Sequence, residues 1–164
     1  MFLGKADNNF QGYRIVVIVF LAIIVFTIAR SLVHILLPDG GAGSIAGLDV
    51  TVEGGQNVVS VFAVWGLSQL LMGFVYLVVF FRYKSLIPFM YLLILAEYSG
   101  RIALGLIKPL EVGHPPPGVI GDYILVPLAI IMLACSRDPR DQLSIKRQNH
   151  LKLIHHSQNV DRSS

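Results

Sequence analysis

A chain of 164 residues that is 54% hydrophobic and only 14% charged, with a mean hydropathy of +0.67, is too apolar for a soluble domain, where charged residues make up about a quarter. The net charge of +3 comes from bases at the edges of apolar segments and suits anionic lipid headgroups. No basic surface interleaved with aromatics is present to bind nucleic acid, and the single cysteine, Cys135, excludes an intrachain disulfide.

Four apolar stretches run through residues 15–37, 58–81, 86–107 and 119–136. Each is close to the ~20 residues that cross a hydrocarbon core about 30 Å thick. They predict an all-α membrane protein, a four-helix transmembrane bundle occupying residues 1–136, followed by a basic tail at 137–164. The first stretch is too long for a signal-peptide core and contains Arg30, so it reads as a retained span. On it, Thr27, Arg30, Ser31 and His34 recur at the 3–4 spacing of one helix face.

The connection that follows, 38–57, is rich in glycine (Gly40, Gly41, Gly43, Gly47, Gly54, Gly55) and carries Asp39, Asp49 and Glu53 with no base. A small hairpin or a flexible lid is expected there. In the second span Trp65, Ser68 and Gln69 share a face, and Gly66 and Gly73 permit close helix approach. The short turn around Arg82 and Lys84 makes spans two and three antiparallel neighbours.

The third span holds Glu97 and Arg101, four positions apart and so on one face. A charge near the bilayer centre costs on the order of 2.5–3.5 kcal/mol on insertion scales, so a retained pair points to assembly or function. Ala96 with Gly100, and Ser99 with Ala103, are small-residue pairs suited to close packing. Residues 115–117 are three consecutive prolines, expected to form a stiff polyproline segment. The fourth span has Asp122 and Tyr123 near its start and Pro127 inside it. The polar tail is expected to be disordered, and its histidines, His150, His155 and His156, read as a fortuitous cluster, so no metal site is expected.

Orientation follows from the 13 basic residues. Lys5 and Arg14 precede the first span, Arg82 and Lys84 lie between the second and third, and Arg137, Arg140, Lys146, Arg147, Lys152 and Arg162 fill the tail. The opposite side holds only Lys108. The positive-inside rule places both termini in the cytoplasm and the protein in the cell membrane, the inner membrane in a Gram-negative bacterium.

With that orientation the polar residues of all four spans share the outer half, while the surroundings of Phe20, Tyr76 and Met132 are apolar. Polar groups in a bilayer are cheapest when they face one another. Arg30, His34, Trp65, Gln69, Glu97, Arg101 and Asp122 therefore form a candidate ligand-binding set. Each has a plainer alternative. Glu97 and Arg101 could be structural glue, Arg30 could snorkel to the interface, and Asp122 could cap a helix beginning after Gly121. No phosphate-binding glycine loop, HExxH or nucleophile elbow is present, so neither a cofactor nor a catalytic residue is indicated.

Asn57, Gly66, Gly73, Gly100-Arg101 and the turn Gly113-His114-Pro115 resemble the pattern of a family of small, mostly bacterial four-span membrane proteins catalogued only as a domain of unknown function. The resemblance covers residues 57–136; that pattern usually has arginine where His114 stands. It implies the fold and no activity. In size and span number the chain is also similar to four-helix scaffold proteins of sterol biosynthesis.

Two functions are therefore expected to compete. One is a polar, outward-opening intramembrane pocket that binds or transforms a small amphipathic or anionic molecule. Arg30 and Arg101 would clamp an anionic or carbonyl group, Glu97 or Asp122 would move a proton and Trp65 would stack on the ligand. The other is a non-enzymatic accessory or scaffold subunit. The expected partners are membrane lipids, with a second copy or a membrane-complex subunit and no nucleic acid. Transport by this apolar-ended bundle is the weakest alternative.

Overall fold

The computed structural model describes residues 6–110, 112 and 116–136. The tail with its histidines, and His114 with its turn, lie outside them. Four helices, α1 (Arg14–Leu36), α2 (Gly55–Arg82), α3 (Ile87–Ile107) and α4 (Pro117–Cys135), account for most of the described chain, with one 3-10 turn at Lys84–Leu86. All four are long and apolar enough to cross a membrane, and no strand occurs among the described residues. The fold is the all-α bundle expected.

Two helix starts differ from expectation for local reasons. α2 begins at Gly55 because Gly54, with φ at 84°, turns the chain in the left-handed region at the N-cap. A side chain on Gly55 would run into the Val50 carbonyl. α4 begins inside the proline run. Pro116 is extended (φ −61°, ψ 144°), as a residue before proline must be. Pro117 occupies the first helical position, where its missing N–H leaves no bond unmade. Asp122 thus lies in the second turn of α4 and is not its cap. At 28 residues, α2 is about 42 Å long, which exceeds the hydrocarbon core and requires tilt or protrusion.

Consecutive helices alternate in direction. At one end the Tyr13 N–H donates to the Cys135 carbonyl (3.2 Å). At the same end the Ser85 hydroxyl accepts from the Asp7 N–H (3.0 Å) and donates to the Asp7 carbonyl (2.9 Å). This terminal end gathers the N-terminal segment, the α2–α3 turn and the end of α4. The 37–54 connection lies at the other, loop end.

The apolar core fills the terminal half. Phe20 lies tilted against Tyr76 and Tyr91, with centroids 5.5 and 5.8 Å apart, and Ile24, Ile87 and Ile94 are fully buried around them. Such offset aromatic contacts suit bilayer interiors, where dispersion rather than water exclusion joins helices. The Tyr91 hydroxyl donates to the Val16 carbonyl (2.9 Å), tying α3 to α1. Apolar side chains around the outside, such as Ile18, Val64 and Ile124, are exposed, as lipid-facing positions are.

Packing is uneven. α1 packs along α2 and α3 along α4, with far less contact between the α2 and α3 backbones. The α1–α2 approach depends on glycine: a Cβ on Gly66 would lie 2.7 Å from the His34 Cβ, and one on Gly73 would lie 2.9 Å from Ile28 Cγ1. The small residues of α3 do not do the same. Ala96, Ser99, Gly100 and Ala103 are exposed, and a Cβ on Gly100 would meet nothing within 4 Å. The face that turns inward is the opposite one, carrying the bulky Tyr91, Ile94 and Tyr98.

The 37–54 connection is neither a hairpin nor a free lid. It is a run of turns with Gly40, Gly41 and Gly47 at positive φ, lying on α1 and α2 with Gly40 against Phe62 and His34. Asp39 organises it by accepting backbone N–H groups from Gly41 (2.9 Å) and Ser44 (2.6 Å). These bonds favour the carboxylate and push the Asp39 pKa down from 3.8 to about 2. A lowered folded-state value stabilises the turn fully above 3.8, and the effect fades as pH falls through about 2. Amide protection at Gly41 and Ser44 is therefore expected to decline across that window, and to be reduced at neutral pH in Asp39→Asn. Hydrogen exchange checks this; unchanged protection in the variant would contradict it.

Candidate functional site

Toward the loop end, one ladder of polar contacts crosses all four helices. Arg30 of α1 donates from Nη2 to Gln69 Oε1 of α2 at 3.3 Å. Gln69 Nε2 donates to Glu97 Oε1 of α3 at 2.8 Å. Glu97 Oε1 faces Arg101 Nη1 at 3.7 Å, and Arg101 Nε faces Asp122 Oδ2 of α4 at 3.3 Å. The amide of Gln69 can take only one orientation here, since guanidinium offers no acceptor and carboxylate no donor.

Trp65 lies one turn from Gln69 on α2 and joins the two arginines. The Arg30 and Arg101 guanidinium carbons each lie 4.9 Å from its ring centroid, within cation–π range. Their separation is thus at most twice that distance. Arg101 also lies over Tyr98, at 5.0 Å. Tyr98 and Arg101 are three apart and so share one face of α3.

Six of the seven expected site residues, Arg30, Trp65, Gln69, Glu97, Arg101 and Asp122, are in direct contact along this ladder. His34 is placed differently. Its ring packs on Trp65 at 4.9 Å and on Phe62 at 5.6 Å, while Nδ1 donates to the Gly40 carbonyl at 2.7 Å. It therefore links the connection to Trp65 and stands behind the ladder. Arg30 is held by Gln69 rather than snorkelling outward. Ser68 is exposed and its hydroxyl donates to the Val64 carbonyl, and Ser31 likewise donates to the Thr27 carbonyl (2.7 Å). Both hydroxyls are satisfied within their own helices. Tyr123 is exposed. Tyr98 and Phe62 were not marked by polarity; the spacing of Tyr98 to Arg101 and of Phe62 to Trp65, three residues each, is the signal that finds them.

Three buried polar atoms of the ladder have no hydrogen-bond partner among the described residues: Arg30 Nε, Arg101 Nη1 and Asp122 Oδ1. Two are donors, one on each arginine, and the third belongs to a side chain only 9% exposed. Buried groups left this way are normally expensive, about 1–3 kcal/mol each. Guanidinium donors are the side-chain chemistry that recognises an oxyanion or a carbonyl oxygen, and carboxyl groups the chemistry that transfers protons. Neither a protein-family model, a curated protein nor a solved structure matches this chain.

Proposed function

We propose that the chain is a multi-pass protein of the cell membrane with both termini cytoplasmic. In this reading the ladder forms a polar, outward-opening pocket that binds, or acts on, a small amphipathic or anionic molecule. The observation that carries it is that two buried guanidinium nitrogens, Arg30 Nε and Arg101 Nη1 (the latter 3.7 Å from Glu97 Oε1), make no hydrogen bond among the described residues, on two arginines that share one indole ring. Arg30 and Arg101 hold the anionic or carbonyl group, Trp65 provides an apolar platform, Gln69 and Glu97 fix the guanidinium groups, and Asp122 is the acid or base nearest Arg101.

Mass spectrometry of small molecules retained after extraction into native lipid discs tests this. One class of molecule is expected to accompany the wild-type chain in stoichiometric amount and to be lost from Arg30→Gln/Arg101→Gln. Equal recovery from both would contradict the reading. The orientation has its own check: Ser44→Cys in a Cys135→Ser background is expected to react with an impermeant maleimide added outside intact cells. Protection until the membrane is broken would reverse the topology.

A second reading, an accessory or scaffold subunit, is supported by the unpacked small-residue face of α3, where Gly100 and Gly105 have open space around them. Under that reading Gly100→Leu disrupts a complex in native gels and leaves small-molecule retention unchanged.

A further inference from the structure

Arg30 and Arg101 bring two positive charges to the ladder, and Glu97 and Asp122 bring two negative ones. The site is electrically balanced when all four are ionised. A monoanion entering it leaves one uncompensated negative charge in a low-dielectric interior, a situation that proteins relieve by protonation.

One oxygen is placed to take that proton. Asp122 Oδ1 is buried without a hydrogen-bond partner among the described residues, while Oδ2 of the same group faces Arg101 Nε at 3.3 Å. Protonated on Oδ1, Asp122 changes from an acceptor to a donor. Glu97 is the poorer candidate, because its Oε1 already accepts from Gln69 at 2.8 Å and its side chain is 28% exposed. Among the described residues, the ionisable groups that face Asp122 are Arg101, Glu97 and Tyr98 on α3 and Arg30 on α1. α2 adds only the neutral Gln69 and Trp65 to the ladder.

We propose that the site takes up a carboxylate-bearing amphiphile together with one proton, which is held on Asp122. This rests on the ligand-binding reading above and specifies its chemistry. Arg30 Nε and Arg101 Nη1 each donate to one carboxylate oxygen, and the protonated Asp122 donates from Oδ1. The proton comes from water, and the net charge of the site is the same before and after binding. A carboxylate has two oxygens, one for each of the two buried guanidinium nitrogens, Arg30 Nε and Arg101 Nη1, that make no hydrogen bond among the described residues. A single proton compensates one negative charge, whereas a phosphate monoester would require more. The apolar tail follows from the setting, since exposed Leu104, Leu106 and Ile107 continue α3 beyond Arg101 toward the loop end.

Isothermal titration of the intact, detergent-solubilised chain with octanoate tests this, run at one pH in two buffers of different ionisation enthalpy. Uptake of about one proton per octanoate bound is expected, with affinity falling about tenfold per pH unit above the titration range of the site. Acetate is expected to bind at least tenfold more weakly. Asp122→Asn is expected to bind octanoate with affinity independent of pH and without proton uptake. If that variant does not fold, the two-buffer comparison on the wild-type chain decides alone. Octanoate binding without proton uptake would overturn the proton coupling and leave the binding site standing. Acetate binding as tightly as octanoate would overturn the amphiphile assignment. No binding of either carboxylate would overturn this inference, while the ligand-binding reading stands or falls on the retained-molecule comparison with Arg30→Gln/Arg101→Gln.

Discussion

Arg101→Gln is expected to destabilise the bundle by about 3 kcal/mol, near the lower end for a broken buried ion pair, because a fifth of the side chain remains exposed. Arg101 is the ladder residue with two partners of opposite charge, Glu97 at 3.7 Å and Asp122 at 3.3 Å. Removing it affects them unequally. Glu97 keeps the Gln69 amide at 2.8 Å, but Asp122 loses its ion-pair partner while its side chain stays 9% exposed. The stranded charge, more than the lost attraction, is the source of the cost. Adding Asp122→Asn to Arg101→Gln should therefore recover part of the loss, and lowering the pH, which lets Asp122 take up a proton, should do the same. Unfolding from detergent micelles, followed by circular dichroism, measures these effects. If the two substitutions simply add, Arg101 and Asp122 are not coupled and the ladder is only a set of neighbours.

Gly66→Ala is expected to destabilise by roughly 1–3 kcal/mol, as overpacking does in a tight interface, whereas Gly100→Ala should be neutral or stabilising by up to about 1 kcal/mol. The two glycines sit in similar apolar helices but in opposite surroundings. A Cβ at position 66 would lie 2.7 Å from the His34 Cβ and 3.1 Å from the Ser31 carbonyl oxygen, whereas at position 100 it would meet nothing within 4 Å. The groups it meets are the α1 backbone and the first carbon of a side chain, neither of which can rotate away. α1 must then move off α2, taking His34 from the Trp65 ring. Gly66→Leu should go further and separate Arg30 from Gln69. Thermal unfolding of the three variants, compared in one detergent, checks the opposite signs. A Gly66→Ala variant as stable as the wild type would mean that the helices do not approach at this residue.

The fold was legible because a bilayer imposes a simple code: four apolar runs of spanning length can satisfy their backbones only as helices. The depth of the polar residues was legible too. Once consecutive helices alternate in direction, α1 and α3 run the same way, so Arg30 and Arg101 are placed in the same half, and six of the seven candidates do meet there. What could not be read was which face each helix turns inward. The small residues of α3, Ala96 to Ala103, carry as good a packing signal as Gly66 and Gly73, yet they are exposed. Tyr91, Ile94 and Tyr98 fill the interior instead, and Tyr91 bonds to the Val16 carbonyl. That choice depends on bulk distributed over four helices, not on a local pattern. The role of His34 was hidden for a related reason. Its partner is a backbone carbonyl, Gly40, and backbone groups have no signature in sequence. The turn at Asp39 depends likewise on where Gly41 and Ser44 present their N–H groups.

Trp65 is the only tryptophan in the chain, and it lies 4.9 Å from both guanidinium groups of the proposed site. Its fluorescence therefore reports directly on whether an oxyanion binds between Arg30 and Arg101. Titration of the wild-type chain with octanoate should change the emission saturably, and the change should disappear in Arg30→Gln and in Arg101→Gln while Lys84→Gln, at the terminal end, retains it. An emission that does not respond, or a response that survives loss of either arginine, would contradict a site built on these two residues.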